Sequence, residues 1–418
     1  MRRTVIAVLV ALALTGTAFA VDINLMSWTG VDREVNLYAQ WAKEYTAAHS
    51  GVNVIYTPVT SDYGAKLLSM FAAGSPPDFF YSGVPDMPLY VSKGMLEPID
   101  KYASGPNGFD FNDLLTPDAR IVIKGQTYTW MNAFFPYVIY YNKKLFDQAG
   151  VKYPTETWTW ADVAAAAKKL TRMQGGNTVQ YGFQADEYNR VWMSYVWSNG
   201  GKLFDNDNAP TKVMFNDTVG TAGLKWLGDM VTSLNVAPPP GVKGALSFRE
   251  AFENQKVAMT MDGVWMMSQF NAKTDLSYGV AMLPMGSKGR TVWSGADSWV
   301  ISATGTHKDI AWDIIKTKYI SKEGQLQFAD FGGPGLIGIP SLKSALADPR
   351  WKPSPILSIP IKESSMARPE PAFIDESRWA WELFQNAVQQ LMLTKGDPKA
   401  VMADFTQKTV NEILPENQ

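Results

Sequence analysis

The sequence predicts an α/β protein built as two lobes, each assembled from separate stretches of chain. The chain opens with a strand, a helix and a second strand, which is the pattern of a parallel sheet with a helical crossover. It has 418 residues, 398 of them after a predicted leader, and this is more than one hydrophobic core usually supports. No single Gly-, Pro- or Ser-rich linker divides the sequence. Two domains without one linker are usually discontinuous.

Residues 1–20 have the pattern of a secretory signal peptide. Two arginines precede an apolar run over residues 5–14, and the stretch ends in Ala-Phe-Ala. The run is too short to span a bilayer, so we expect the mature chain to begin at Val21. No later stretch approaches the roughly 18 unbroken apolar residues of a membrane helix, so we expect the mature chain to be soluble. The sequence has no cysteine, which excludes disulfides and a lipidated N-terminal cysteine. We therefore predict a periplasmic protein that is not lipidated.

The composition narrows the function classes. A net charge of −2 with 19% charged residues gives no basic surface for nucleic acid. Only two histidines are present, which leaves little material for a His-based catalytic or metal site. The acidic run 205–208 lacks the glycine and the distant glutamate of a calcium loop, and no phosphate-binding glycine motif occurs. We expect no metal and no cofactor.

The first strand, helix and strand justify the parallel sheet. Residues 22–27 alternate in polarity, apolar residues recur at helical spacing over 35–45, and residues 52–56 form a β-branched run. Such a unit forms a parallel pair with a right-handed crossover. The loop 28–32 then lies at the carboxyl end of the first strand, where open α/β sheets bind ligands.

Two further elements follow along the chain. A turn bounded by prolines leads into a short strand at 79–81, which opens at Ser82-Gly83, and a helix then stops at Gly94. A second helix is predicted from Trp160 to about Met173. A capping box of Thr159 and Asp162 begins it, and Gly175-Gly176 is expected to end it.

The C-terminal half adds two strands and a long helix. Residues 256–261 are predicted to form a strand that ends at Asp262-Gly263, and Trp265 begins the segment that follows. Residues 278–283 are predicted to form another strand. From 375 to 394 we predict one helix whose shared face carries Arg378, Trp381, Phe384, Val388 and Leu391.

Several motifs resemble the bacterial extracellular solute-binding proteins that supply sugars to ABC transporters. Residues 74–100 are similar to the family's Pro-Asp strand and its Gly-Leu-Glu-Pro-Leu-Asp ending. Further matching segments occur in the family's order over nearly the whole mature chain, at 24–28, 124–128, 140–146, 149–151, 157–160, 199–204, 252–264, 280–286, 294–301 and 311–315.

The resemblance implies a type II-like periplasmic-binding-protein fold. One lobe would comprise residues 21–134 plus 297–342, and the other residues 135–296 plus 343–418. Crossing hinge segments would join the lobes near 134–138, 295–298 and 342–347. The ligand would be clamped between the lobes.

The resemblance also implies a function. We expect a monomeric, non-enzymatic protein that binds a mono- or oligosaccharide and delivers it to the transmembrane subunits of an ABC permease by hinge closure. One alternative is a secreted glycoside hydrolase, which also needs aromatic subsites and two carboxylates. Another is a binding protein for glycerol phosphate or a similar solute, which would need several convergent Arg or Lys donors.

A pyranose has flat C–H faces and a rim of hydroxyls, so its site needs aromatic planes and polar groups in the plane of the ring. Four of the candidate residues could instead have a purely structural role. Asp32 and Asp62 are also placed to cap helices, Trp265 suits a core, and Trp381 lies on an apolar stripe. The candidate aromatic residues are Trp28, Trp130, Tyr188, Trp265 and Trp381. The candidate polar residues are Asp32, Asp62, Ser82, Asp86, Asn132, Glu187, Asp297 and Arg378.

Overall fold

The computed structural model describes residues 21–29, 32–104, 108–116, 119–185, 188–240, 246–329, 338–351 and 355–417. Its strands are β1 (Val21–Trp28), β2 (Val52–Val59), β3 (Phe79–Gly83), β4 (Arg120–Ile123), β5 (Gln126–Trp130), β6 (Ala133–Asn142), β7 (Arg172–Gln174), β8 (Asn177–Gln180), β9 (Gln184–Ala185), β10 (Met259–Gly263), β11 (Tyr278–Ala281), β12 (Val292–Ile301), β13 (Ile339–Pro340) and β14 (Ala367–Arg368).

Helices pack around these strands. They are α1 (Asp32–Ala48), α2 (Tyr63–Ala72), α3 (Met87–Ser92), α4 (Asp100–Ala103), α5 (Lys143–Ala149), α6 (Trp160–Leu170), α7 (Tyr188–Ser198), α8 (Thr218–Thr232), α9 (Phe248–Glu253), α10 (Met266–Asn271), α11 (Lys308–Ile314), α12 (Lys322–Ala329), α13 (Lys343–Leu346), α14 (Ser358–Ser364), α15 (Glu376–Arg378), α16 (Phe384–Thr394) and α17 (Pro398–Lys408). In the described part of the chain, none of them combines the length and apolar character that crossing a bilayer requires.

One mixed sheet runs through the molecule in the order β2-β1-β3-β12-β6-β10-β9. The predicted parallel pair is confirmed, because β1 and β2 pair in parallel from Val21 opposite Val52 to Trp28 opposite Val59. Strand β12 is antiparallel to β3 along one part of its length and to β6 along another. Since β6 also pairs with β10 and β11, β6 and β12 connect the first strands to the second half of the chain.

Two hydrophobic clusters divide the interior. The first surrounds β1 to β3, and in it the rings of Trp299 and Tyr319 lie 4.1 Å apart. The second surrounds the helices of the second lobe, where the rings of Trp192 and Phe384 lie 4.9 Å apart. The side chain of Trp265 packs against both clusters. This residue therefore lies at the boundary between the two clusters.

The residues that follow β13 include the third expected hinge segment, near 342–347, and their contacts show which lobe each of them joins. The backbone N–H of Ser344 donates to Asp113 over 2.8 Å, and Arg350 forms an ion pair with Glu323 at 2.9 Å, so both residues bond to the first lobe. Glu363 in α14 instead accepts a hydrogen bond from the backbone N–H of Leu283 in the second lobe. Ser344 and Arg350 thus contact the first lobe and Glu363 contacts the second, and the hinge segment expected near 342–347 stays a prediction.

The helix predicted over 160–173 begins as expected but ends early. Thr159 and Asp162 form the capping box, whereas α6 ends at Leu170. Arg172 to Gln174 form β7, which pairs with β8 across Gly175-Gly176, both at positive φ. Two consecutive glycines at positive φ are typical of a tight hairpin turn. Residues 172–174, which were expected in the helix, form a strand of this hairpin instead.

Three elements in the second half also differ from their predictions. The strand expected at 256–261 is shifted to β10 (Met259–Gly263), and β11 ends at Ala281 instead of 283. The helix expected over 375–394 contains a π-helical turn, Trp379–Leu383, between α15 and α16. A π turn adds a residue to the helical repeat, so the two ends of the segment do not share one continuous face.

Candidate functional site

A cavity of about 370 Å³ lies between the two lobes. The first lobe contributes Trp28 from the carboxyl end of β1, and Tyr81 and Gly83 from that of β3, as expected for an open α/β sheet. Glu34 from α1 joins them. The opposite wall and the hinge strands contribute, among others, Arg190, Arg249, Trp265, Trp293, Asp297 and Glu370.

Indole rings from both lobes line this cavity. Trp28 is 44% exposed in the first lobe. Trp265 directly precedes α10 in the second lobe, and its ring centroid lies 6.1 Å from that of Phe135 and 5.9 Å from that of Tyr137. These neighbours hold the Trp265 ring while leaving part of it open to the cavity. The cavity therefore offers a flat apolar surface on each lobe.

A buried tryptophan holds a cation and a carboxylate beside these rings. The guanidinium carbon of Arg190 lies 4.0 Å from the ring centroid of Trp293, a cation–π distance. The indole N–H of Trp293 donates to Glu370 over 3.2 Å. Burial raises the pKa of Glu370, and the charge of Arg190 partly offsets that rise. Trp293 thus orients two groups that can hydrogen-bond to a ligand.

A second arginine is held by a buried carboxylate. Nε of Arg249 donates to Asp262 over 3.0 Å, and Asp262 has no exposed surface. The other oxygen of Asp262 accepts the backbone N–H of Gly263 over 2.7 Å. This ion pair compensates both charges and directs the arginine from α9 toward the cavity.

Asp297 lies on hinge strand β12 and faces the cavity. It accepts a hydrogen bond of 2.9 Å from the hydroxyl of Tyr81. Burial raises the pKa of Asp297 to about 7, even though this hydrogen bond acts to lower it. A carboxyl group with this pKa can change charge near neutral pH.

A polar contact joins the lobes beside the cavity. The hydroxyl of Ser377 in α15 donates to Asp86 of the first lobe over 3.4 Å. Burial raises the pKa of Asp86. Burial also raises that of Glu376, and the nearby charges of Glu370 and Asp86 raise it further. Asp86, Glu370 and Glu376 therefore form a cluster of carboxyl groups where the lobes meet.

Comparison with models of known protein families shows which family the chain belongs to. The model for bacterial extracellular solute-binding proteins matches residues 32–325. The chain belongs to this family. The predicted family is thereby confirmed.

Two relatives of this solute-binding protein cover much of its length. A binding protein of Brucella abortus (strain 2308) is 25% identical over 421 residues, which are 95% of this chain and 94% of the relative. A maltotriose-binding protein of Pyrococcus abyssi is 26% identical over 333 residues, which are 78% of this chain and 67% of the relative.

Solved structures confirm the predicted two-lobed α/β fold. An ABC substrate-binding protein of Listeria monocytogenes in complex with cycloalternan has a TM-score of 0.78 at 21% identity, covering 95% of this chain and 99% of that one. The maltose/maltodextrin-binding domain of Bdellovibrio bacteriovorus, bound to maltotriose, has a TM-score of 0.76 at 19% identity, covering 94% and 100%. At these identities the likeness shows the fold alone.

Four of the predicted site residues lie in or beside the cavity of this solute-binding protein. Trp28, Trp265 and Asp297 line it. Trp381 is 42% exposed, and the guanidinium carbon of Arg190 lies 5.2 Å from its ring centroid. Asp86 marks the adjacent contact between the lobes but does not line the cavity.

The structure places two predicted residues away from the cavity. Trp130 has no exposed surface and stacks on Phe109 at 3.8 Å, so in this conformation it cannot pack against a ligand. Arg378 forms ion pairs with Glu412 and, at 3.7 Å, with Glu382, both in the second lobe. These contacts hold its guanidinium on the outside of that lobe instead of at the cavity.

Four predicted polar residues also lie outside the cavity lining. Asp32 and Asp62 are exposed at the starts of α1 and α2, and the side chain of Asp62 makes no capping hydrogen bond. The hydroxyl of Ser82 is buried and donates to the carbonyl of Gly83 over 3.0 Å. Asn132 is 2% exposed at the start of hinge strand β6.

Residues 187–188 were also predicted to contact ligand. Glu187 lies outside the described residues, and for Tyr188 only its place at the start of α7 is described. Arg190, two residues further along that helix, lines the cavity.

Sequence reasoning missed most of the charged lining, namely Glu34, Arg190, Arg249 and Glu370. One local signal existed, because the capping box of Ser247 and Glu250 puts Arg249 in the first turn of α9. Glu34, Arg190 and Glu370 have no such local sequence signal, because only tertiary packing brings them together. Within the described ranges, no three His, Asp or Glu side chains converge as a metal site would require.

Proposed function

We propose that this protein binds a mono- or oligosaccharide between its lobes and delivers it to the transmembrane subunits of an ABC importer. The observation that most supports this is the presence of Trp28 and Trp265, from different lobes, in one cavity that charged groups also line. Indole rings pack on the faces of a pyranose, while Arg190 and Glu370 suit its hydroxyl rim. Relatives named for maltotriose and arabinooligosaccharides agree with this class of ligand.

The charges in the cavity favour a neutral ligand. Arg249 is already compensated by Asp262, and Arg190 lies near enough to Glu370 to affect its pKa. A phosphate ester would need uncompensated convergent cations, and the additional carboxylate of Asp297 would oppose an anion. The site therefore suits a neutral sugar better than glycerol phosphate.

The two-lobed fold supports a mechanism based on hinge closure. A sugar that contacts both tryptophans stabilises the closed form, because the open form cannot offer both walls at once. Rotation about β6 and β12 would let the lobes part for entry and release. The permease would then distinguish the closed, loaded protein from the open, empty one. No bond in the sugar needs to break, so we propose a binding protein and not a hydrolase.

We also propose that the protein is exported, loses residues 1–20 and works as a periplasmic monomer without a lipid anchor. The charged start, the apolar run and the Ala-Phe-Ala ending support cleavage before Val21. N-terminal sequencing of the exported protein tests this. A start at Met1 or a membrane-anchored product would contradict it.

A thermal-shift screen of the mature chain against neutral mono- and oligosaccharides tests the proposed function. A sugar at 100 times its Kd should stabilise the fold by about 2.7 kcal/mol. Chromatography of the same mixtures should return the sugar unchanged, and released products would instead establish a hydrolase. Sugar phosphates run in parallel test the alternative cargo. Stabilisation by glycerol phosphate but by no sugar would reject our proposal.

A further inference from the structure

Three carboxyl groups, those of Asp86, Glu370 and Glu376, meet where the two lobes touch, and we call them the carboxyl cluster. Asp86 belongs to the first lobe, in the segment 84–86 that follows β3, whereas Glu370 and Glu376 belong to the second. Helix α15 contains Glu376 and packs against the segment 84–86. The cluster is therefore complete only while the lobes are in contact.

Glu376 lacks the partners that a buried carboxylate needs. Its side chain is 2% exposed, and its Oε1 atom has no hydrogen-bond partner among the described residues. Ionising a carboxyl group in such a place is costly, because burial removes its hydration and no donor replaces the lost water. The neutral acid costs far less, so this arrangement of the lobes favours a proton in the cluster.

Few positive charges offset the cluster. In the described part of the chain, the cation that acts on both Glu370 and Glu376 is Arg190 of α7. The described partner of Asp86 is neutral, namely the hydroxyl of Ser377 at 3.4 Å. Three ionised carboxylates would thus face one guanidinium, and their mutual repulsion also favours keeping a proton.

Two further arginines lie close to the cluster in sequence, but both have other partners. Arg368 forms an ion pair with Asp207. Arg378 forms one with Glu412. Neither guanidinium is therefore left to neutralise the cluster.

On the side of the first lobe, Asp86 faces the phenol groups of Tyr63, Tyr81 and Tyr90. Burial raises the pKa of all three tyrosines, and the charge of Asp86 raises each of them further. These phenols therefore stay neutral between pH 5 and 8. The carboxyl groups are the part of this contact that titrates in that range.

Opening of the lobes would return the cluster to water. A hydrated carboxyl group has a pKa of about 4, so it loses its proton well below neutral pH. The closed form therefore binds more protons than the open form does. By linkage, closure is favoured while the cluster keeps its proton and becomes less favourable as the pH rises.

We propose that the carboxyl cluster is a proton-dependent latch between the lobes, which favours the closed form when it holds a proton and the open form when all three groups ionise. The inference rests on the proposed hinge motion and adds its regulation. Closure takes up a proton and opening releases one, so acid tightens ligand binding and alkali promotes release. Each coupled proton changes the closing equilibrium by up to about tenfold per pH unit.

Small-angle scattering of the ligand-free mature protein at pH 5, 6.5 and 8 and constant salt tests the latch. The radius of gyration should be smaller at pH 5 than at pH 8. The double variant Asp86→Asn/Glu376→Gln cannot ionise at these positions and should keep the smaller radius at every pH. An equal radius of the parent at pH 5 and 8 would overturn the inference, and so would an equal rise in the parent and the double variant.

The matched control is Asp309→Asn/Glu382→Gln. It replaces the same two residue types at exposed positions, so it makes the same change in net charge outside the cluster. The radius of this control should rise with pH as that of the parent does. Loss of the rise in this control as well would assign the effect to net charge and not to the cluster.

Asp297 is the other carboxyl group to separate from the cluster, since its pKa is about 7. It pairs with Gly83 in the sheet and accepts a hydrogen bond from Tyr81, so both of these partners belong to the first lobe. Asp297→Asn should therefore keep the rise in radius with pH. If Asp297→Asn abolished the rise and the double variant kept it, the hinge strand would be the sensor and the latch would be wrong.

Titration calorimetry separates this inference from the proposed function. The probes are glucose, maltotriose and mannotriose, and any of them that binds should bind the parent about tenfold or more weakly at pH 8 than at pH 5. The double variant should keep at most about a threefold difference. Binding without this pH dependence would reject the latch and leave sugar binding intact. If no saccharide binds, the proposed function fails, while scattering still decides the latch.

Discussion

The indole ring of Trp265 lies directly against the α-carbon of Gly263. A Cβ built on that glycine would come within 2.1 Å of Cζ3 of the ring, and its three nearest atoms all belong to Trp265. Such a distance is far inside van der Waals contact, so no larger residue fits while the ring keeps its position. The absence of a side chain at the end of β10 thus determines where the aromatic wall of the cavity stands.

Gly263→Ala should therefore displace the Trp265 ring. We expect a loss of about 1–3 kcal/mol in stability from overpacking and a clear loss of sugar affinity. Calorimetry and urea unfolding measure the two effects. Gly305→Ala is the matched control, since its Cβ would have its nearest neighbour at 3.5 Å. Equal affinities for both alanine variants would show that the ring position does not matter for binding.

Trp265→Ala should weaken sugar binding by about 2 kcal/mol or more while the protein stays folded, because the ring supplies an apolar wall in a desolvated cleft. Calorimetry and circular dichroism together decide this. Tyr153→Ala removes a 38% exposed aromatic ring outside the cavity and serves as the control. Unchanged affinity would remove Trp265 from the site, whereas a collapsed fold would make it a core residue.

Arg249→Ala should lower the free energy of unfolding by about 1–3 kcal/mol, because it leaves the buried carboxylate of Asp262 without its ion-pair partner. In an Asp262→Asn background the same substitution should cost less, since no buried charge remains. Urea unfolding of the four proteins in this double-mutant cycle measures the coupling. An equal cost in both backgrounds would mean that the ion pair contributes nothing.

The pKa of Asp297, about 7 in the folded protein against an ordinary 3.8, makes stability depend on pH. The folded state holds the proton more tightly, so this contribution is complete below about pH 4 and is lost as the pH rises through 7. Asp297→Asn should remove this decline, which a shift of that size limits to about 4 kcal/mol at most. Asp309→Asn, at an exposed position of α11, should keep it. Urea unfolding at pH 4.5, 6 and 8 compares the slopes, and parallel curves for all three proteins would contradict the assignment.

Ligand should close the hinge without chemistry. A solute enclosed between Trp28 and Trp265 enters only if the lobes part, so saturation with the cognate sugar should lower the radius of gyration. Small-angle scattering with and without sugar measures this, and a non-binding sugar at the same concentration is the control. An unchanged radius at saturation would contradict closure.

Local signals predicted the start of α6 but not its end. The capping box of Thr159 and Asp162 placed the first residue of α6 correctly, because capping depends on four consecutive residues. The end of the same helix was wrong, since the choice between another helical turn and a hairpin depends on partners elsewhere. Gln180 donates to the carbonyl of Leu170, which satisfies the helix end from β8.

The π turn shows why a correct periodicity can assign the wrong face. Regular helical spacing put Trp381 on one stripe with Phe384 and Val388. The wider turn at 379–383 instead buries Trp379 completely and leaves Trp381 42% exposed near Arg190. A π turn depends on packing around the helix and has no reliable sequence signal.

The candidate site was predictable where residues follow strand ends or, like Asp297, lie in an expected hinge segment. Trp28 and Trp265 follow β-strand patterns, and the resemblance to the family supported both. Arg190, Arg249 and Glu370 come from three distant segments, and each is held by a partner such as Trp293 or Asp262. Charge placement of this kind requires the tertiary structure.

Strand β6 has a consequence for how the protein unfolds. All ten of its residues are buried, and its rings contact both lobes: the ring of Phe135 lies 6.2 Å from that of Phe328 in the first lobe, and the ring of Tyr137 lies 5.0 Å from that of Trp293 in the second. Neither lobe can melt without removing part of the other's interior. Heating should therefore produce one cooperative transition instead of two, even with the two-body hinge motion that we propose for binding.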